Sequence, residues 1–391
     1  MPPTPTERLY FTDSHVTTFR ARVVGTAVLK NGPAVALDRS AFYPEGGGQP
    51  ADAGTLAGVR VVDVQSEGDV VWHALERPLA AEEVEGIVDW PCRLDHMQQH
   101  HGQHLLSAAF ERLFAFRTVS FHLGSDAATI DLATGAVTES QLSAAEDLTN
   151  QVIWEDRPIH ARFVTPEELA TLPLRKPPVV EGAIRVVSVP DFDHSACGGT
   201  HPRSTGVVGL VHCRRTEKRG GDTRVEFLCG NRALRDLRVK NALLARVSAA
   251  LTVGPDELEP AIVRLRETEQ ATRKRLEDAM KRLAACEAAE FAGQPVVCKA
   301  YADRSLDDLT LLANHIVRGG GVALLGLRGD KAQLVFASPA GSKVNAGALL
   351  KEIMAQFGGK GGGQAGMAQG GMPDATKLDA ALDAAKQRAE R

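Results

Sequence analysis

His100-His101-Gly102-Gln103-His104 and Cys197-Gly198-Gly199-Thr200-His201 decide how this chain is read. Each stretch sets two soft-metal ligands four residues apart, and together they offer three imidazoles and one thiolate, a full tetrahedral zinc shell. The two pairs call for different local structures. Leu94, Met97, Leu105, Ala108, Ala109 and Leu113 are spaced for one face of a helix over 95–114. On that helix residues i and i+4 lie one turn apart, so His100 and His104 can chelate one ion. Gly102 inside it costs about 1 kcal/mol relative to alanine, which predicts a closely packed neighbour. Cys197 and His201 lie between Pro190 and Pro202 on a loop, where Gly198 and Gly199 permit the tight fold that brings both onto one ion. Helices and strands mix around both elements, which predicts an α+β domain. Spacing alone leaves the register open: His96 with His100 would serve equally, and His101 and His194 are spare donors.

The 391 residues imply two or three domains at roughly 150 residues each. Apolar residues at 43% and charged residues at 24% are those of an ordinary soluble protein. No apolar run is long enough to cross a bilayer, and the opening MPPTPTERLYF carries no signal-peptide core. Six cysteines without a disulfide-framework spacing indicate a reducing compartment, so the expected location is the cytoplasm, with Cys197 the metal-holding thiol. A net charge of −4 argues against a generic polyanion binder. Between residues 214 and 240, however, nine basic residues stand against four acidic ones. Arg214, Arg215, Lys218 and Arg219 lead that stretch, which can serve as a phosphate-binding surface.

Four parts are expected along the chain. Residues 1–90 hold β-branched runs at Val23–Leu29, Pro33–Leu37, Val59–Val64 and Val70–Ala74, separated by turn residues, which predict a small β-barrel. Residues 91–235 mix helices (95–114, 140–154, 166–170) with strands (183–189, 206–213, 223–229) around both metal elements. Residues 236–292 are helical. There Leu258, Ile262, Leu265, Thr272, Leu276, Ala279, Leu283 and Cys286 step by threes and fours with one break at Glu269, a coiled-coil seam suited to a spacer or a dimer arm. Residues 293–391 form a C-terminal α/β domain with a hairpin at 322–337 and helices at 344–356 and 374–389. The Gly358–Gly371 stretch between those helices reads by composition as a linker slightly more than as an ordered anion-binding loop around Lys360. Gly46, Gly47 and Gly48 likewise read first as a flexible turn that exposes backbone N–H groups.

Four ordered motifs resemble the alanyl-tRNA editing proteins of the AlaX type, in the long form with a C-terminal DHH-associated domain. They are FYPEGGGQPAD (Phe42–Asp52), HHGQHLLSA (His100–Ala108), CGGTHPRSTG (Cys197–Gly206) and GGKGGGQAGMAQGG (Gly358–Gly371). The same set occurs in the editing and C-terminal parts of alanyl-tRNA synthetases, and TRVEFLCGNRAL (Thr223–Leu234) is similar to the stretch after their second metal element. The resemblance implies one Zn²⁺ per chain held by His100, His104, Cys197 and His201, leaving His96, His101 and His194 as non-ligands. It also lifts both glycine-rich segments above the reading as linkers. A tRNA partner, self-association through the spacer or the C-terminal domain, and a family-level association with ATP binding come with it.

The activity so implied is zinc-dependent ester hydrolysis of mischarged tRNA(Ala), chiefly seryl-tRNA(Ala), with glycyl-tRNA(Ala) second. The chain begins almost at the Gly-rich barrel, so the expectation is deacylation in trans without aminoacylation. Zinc can acidify a water and polarise the carbonyl, Gly46–Gly48 could meet the carbonyl or the terminal nucleotide, and Ser40 and Gln49 are candidates to read the substrate's amino or hydroxyl group. Ser40 stands where many relatives have threonine. A pocket that hydrogen-bonds the serine hydroxyl can penalise its absence by up to roughly 10⁴–10⁵. Four protein ligands ordinarily mark a structural zinc, so catalysis requires a fifth position, a loose ligand, or an ion that orients substrate. A deacylase for another aminoacyl-tRNA, and a non-catalytic tRNA-binding protein with structural zinc, are the competing readings. A phosphoesterase is disfavoured, because no paired aspartate-histidine motif for two metals is present.

Overall fold

The computed structural model describes residues 3–176 and 184–391, and the chain divides into two compact units, Met1–Arg246 and Val247–Arg391. In the first unit the strands Thr18–Leu29, Gly32–Leu37, Gly54–Leu56, Val59–Glu67, Val70–Leu75 and Glu83–Val88 close into a barrel. Thr18–Leu29 closes it by pairing antiparallel with Gly32–Leu37 on one side and Glu83–Val88 on the other. The period-two pattern of each strand sorts the faces: Val84 and Val88 turn inward while Glu83, Glu85 and Ile87 stay out. Phe19, Leu37, Phe42, Leu56, Val61 and Leu75 fill the interior.

A helix α1 (Trp90–Phe114) follows, started by the Asp89 carboxylate accepting from Cys92 N and ended by Ala115 in the left-handed region. Its buried side packs, with α2 (Glu139–Trp154), against a four-stranded sheet of Val211–Arg219, Asp222–Cys229, Ala128–Leu132 and Thr118–Leu123. Gly102 meets the neighbour its position predicts: a Cβ there would run into the Cys229 thiol. A second small sheet is built from His160–Val164, Ile184–Val189 and Asp193–Ala196, beside the short α3 (Pro166–Thr171). Of the strand expected over 183–189, residue 183 lies outside the described residues. The strand expected over 206–213 is corrected: Thr205–Val208 is a 3₁₀ turn and the extended run begins at Val211. Thr205 is drawn inward, its hydroxyl donating to Val152 O, and Gly209 at φ 82° interrupts the extended backbone.

A further helix, α4, spans Gly230–Leu251. The second unit holds α5 (Leu258–Glu290), which carries the seam read from the sequence. Ile262, Leu265, Leu276 and Leu283 of that seam are exposed, whereas Leu258 is buried. A five-stranded sheet in the order Val296–Tyr301, Val322–Leu327, Ala332–Ala337, Met367–Met372, Lys360–Gly363 is packed by α6 (Leu306–Arg318), α7 (Ala346–Phe357) and α8 (Leu378–Ala389). The glycine-rich stretch is therefore strand, not the linker its composition favours. Its glycines serve close approach: a Cβ on Gly361 would lie 2.5 Å from Gly370 Cα. Among the described residues no helix is long and apolar enough to cross a membrane.

Candidate metal centre

One turn of α1 stacks the His100 and His104 rings with centroids 5.2 Å apart. The loop after Ala196 brings the second pair to them, and its course is fixed by partners far away in sequence. Cys197 N donates to Arg185 O. The buried Arg185 guanidinium donates in turn to Cys197 O (2.9 Å), Gly199 O (3.0 Å) and Phe11 O (3.0 Å). Thr200 N donates to Gln49 Oε1 (3.1 Å), Gln49 Nε2 donates to Thr200 Oγ1 (2.8 Å), and His201 N donates to Ser14 Oγ (3.2 Å). Gly199 presses so closely on His100 that a Cβ would enter the imidazole ring.

The result is a cluster in which one ligand atom from each of His100, His104, Cys197 and His201 lies within 4.8 Å of the others. Cys197 Sγ is 3.1 Å from His100 Nε2 and 3.3 Å from His201 Nε2. Tetrahedral zinc with ordinary bond lengths sets such N···S edges at about 3.6 Å, so the donor set and its spacing fit that ion. Burial opposes ionisation of the Cys197 thiol, yet the His100, His201 and His104 rings outweigh it and hold the thiol well below its ordinary range. Burial also works against a proton on His104, but the Cys197 thiolate and Asp193 prevail and raise it to about 9. His201 is pushed down to about 3, chiefly by burial. The Cys197 thiolate and the deprotonated His201 are thus in the state that ligation needs, whereas His104 holds a proton that an arriving metal ion must displace.

The imidazoles are held from behind. His104 Nδ1 donates to Asp193 Oδ2 (3.2 Å), and Asp193 is itself gripped by Arg175 Nε (3.0 Å) and the Ser195 hydroxyl. His201 Nδ1 faces His101 Nδ1 at 3.0 Å. Neither Asp193 nor Arg175 carried a sequence signal. His96 pairs with Cys92 Sγ and His194 with Ser188 Oγ, both apart from the cluster.

The remaining sequence candidates divide. Gln49 joins the centre through Thr200. Gly47 and Gly48 are exposed at positive φ, Gly46 N donates to Gln49 O, and Gly48 leaves room for Phe121, whose ring meets His100 edge-on. Ser40 is fully buried, its hydroxyl 2.7 Å from His73 Nε2 and accepting from Phe42 N. Arg214, Arg215, Lys218 and Arg219 lie exposed on Val211–Arg219, but Arg214 and Arg215 pair with Glu226 and Arg219 with Glu217. Lys360 is exposed on the edge strand of the second unit.

Residues 184–226 match the family model described as "Threonyl and Alanyl tRNA synthetase second additional domain", and residues 288–391 match the DHHA1 domain. The chain is 32% identical over 385 residues to the alanyl-tRNA editing protein AlaX-L of Pyrococcus horikoshii, covering 93% of this chain and 94% of that protein. It is 31% identical over 347 residues to the alanyl-tRNA editing protein Aarsd1-A of Xenopus laevis, covering 86% and 84%. Against an alanine–tRNA ligase of Pyrococcus abyssi it is 33% identical over 401 residues, and there the chain spans 43% of the ligase's length.

Proposed function

We propose, from the premise that this chain belongs to the alanyl-tRNA editing proteins, that it hydrolyses the ester joining a wrong amino acid to tRNA(Ala), chiefly serine and secondly glycine. The observation that carries this reading is the convergence of His100, His104, Cys197 and His201 on one small volume, tied through Thr200 to Gln49 of the glycine-rich loop. A zinc ion held by those four residues would supply Lewis acidity to an ester carbonyl and to water.

The chain's own groups supply the rest. Asp193 keeps the proton of His104 on Nδ1 and so leaves Nε2 to face the centre. The Gln49–Thr200 pair ties the glycine-rich loop to the metal loop, and the exposed Gly47 and Gly48 backbone would then serve as a cradle for a carbonyl or the terminal nucleotide. In the Ser40–His73 pair, His73 Nδ1 donates to Val35 O, so Nε2 takes the Ser40 proton. Ser40 is fully buried with its proton committed to His73, so it would meet a serine hydroxyl or an ammonium group only as an acceptor and only in a pocket opened to it by the substrate. Lys218 and Lys360 are the exposed cations offered to phosphates, and the exposed seam of α5 is the surface offered for self-association.

The test is deacylation of seryl-, glycyl- and alanyl-tRNA(Ala) with and without a zinc chelator. Zinc-dependent loss of serine with alanine spared is the expected result. Tight tRNA binding with no hydrolysis of any ester would instead make this a binding module with structural metal.

A further inference from the structure

His101 plays no part in the ligand set, yet it is fully buried and its Nδ1 lies 3.0 Å from Nδ1 of the ligand His201. Two imidazole nitrogens at that distance share one proton, so one ring must donate and the other accept. If His101 donated, the neutral His201 ring would carry its proton on Nε2, the nitrogen 3.3 Å from Cys197 Sγ, and could not ligate through it. If His201 donates, Nε2 keeps a free lone pair aimed at the cluster. The price falls on His101, whose Nε2 must then hold its hydrogen, and that nitrogen is buried without a hydrogen-bond partner among the described residues. A histidine retained only to fill the core would more readily satisfy both nitrogens. Here one nitrogen is used on a ligand and the other is left bare.

We infer that His101 is a positioning residue, an acceptor that locks His201 in the tautomer whose Nε2 binds the metal. It matches the role of Asp193 toward His104, but with a neutral ring in place of a carboxylate. The inference rests on the metal reading above.

The experiment measures zinc affinity of the full chain by competition with a chromophoric chelator, comparing wild type with His101→Leu and His101→Asn. Leucine keeps the bulk and removes the acceptor. Asparagine places a carbonyl oxygen near the position of Nδ1. The expected outcome is a 10–100-fold loss of affinity in His101→Leu and near wild-type affinity in His101→Asn, with unchanged far-ultraviolet circular dichroism in both. Equal affinity in His101→Leu and wild type would reduce the residue to packing and overturn the inference, as would equal loss in two folded variants. Wild-type protein that binds no zinc at all would sink the metal reading itself, a different failure visible before any variant is made.

Discussion

The two halves of the candidate metal centre are made in opposite ways. His100 and His104 are placed by helix periodicity: once α1 forms, the rings stack one turn apart. Cys197 and His201 have the same spacing but no regular backbone to enforce it. Their loop is held by Arg185 at two of its carbonyls, by Gln49 at Thr200 and by Ser14 at His201 N. The helical pair is thus a local property, whereas the loop pair is a property of the assembled unit. Substitutions far from the ligands should accordingly damage the loop half more.

The largest effect is expected from Cys197→Ala, which removes the shared neighbour of His100 and His201. Bound zinc, read by elemental analysis, should fall from one per chain to near zero, and seryl-tRNA(Ala) deacylation should fall more than 100-fold, beyond the roughly 10–100-fold that losing a ligand's outer partner costs. Retention of both metal and activity would remove Cys197 from the centre. Next comes Arg185→Met, which orphans buried carbonyls at about 1–3 kcal/mol each. Urea unfolding should show a loss of about 3 kcal/mol, with weaker zinc binding. Asp193→Asn on the helical side should cost about tenfold in zinc affinity with the loop undisturbed; if it proved the worse of the two, the contrast between the halves would be inverted.

Gln49→Leu leaves the Thr200 N–H without its acceptor and should cost about 1–2 kcal/mol. Because it uncouples the glycine-rich loop from the ligands, steady-state kinetics should show kcat falling with zinc content unchanged. The smallest effect is expected from Gly102→Ala. Crowding against Cys229 costs about 1–3 kcal/mol and the gain in helix propensity returns about 1 kcal/mol, leaving a net loss of about 1 kcal/mol at full metal affinity. Adding Cys229→Ala should recover that loss, and failure to recover it would show that the thiol is not what Gly102 makes room for.

What the sequence disclosed follows the same division. The i, i+4 histidines, the close packing at Gly102 and the barrel's β-branched runs are local signals and could be read directly. Which of the two histidine registers is used could not be read from spacing, because His96 and His100 fit it equally. The difference arises from Gly199 and Arg185, which bring the thiol to His100 and leave His96 with Cys92. Gln49 was legible as a polar residue in a glycine-rich loop, but its partner Thr200 is 151 residues away. The Gly358–Gly371 stretch misleads by composition, since what makes it strand is the close backbone approach between Gly361 and Gly370, a tertiary fact.

The 97-position separation of His100 and Cys197 also has a meaning in time. A ribosome adding about 5–20 residues per second releases the helical histidines roughly 5–20 s before the thiol exists. Throughout that interval a nascent chain presents His100 and His104 without Cys197, a pair that would offer a divalent ion two nitrogens and no thiolate from the loop. Selectivity for a metal held by all four residues would therefore be conferred late, when the thiolate of Cys197 arrives and adds a sulfur to the nitrogen pair.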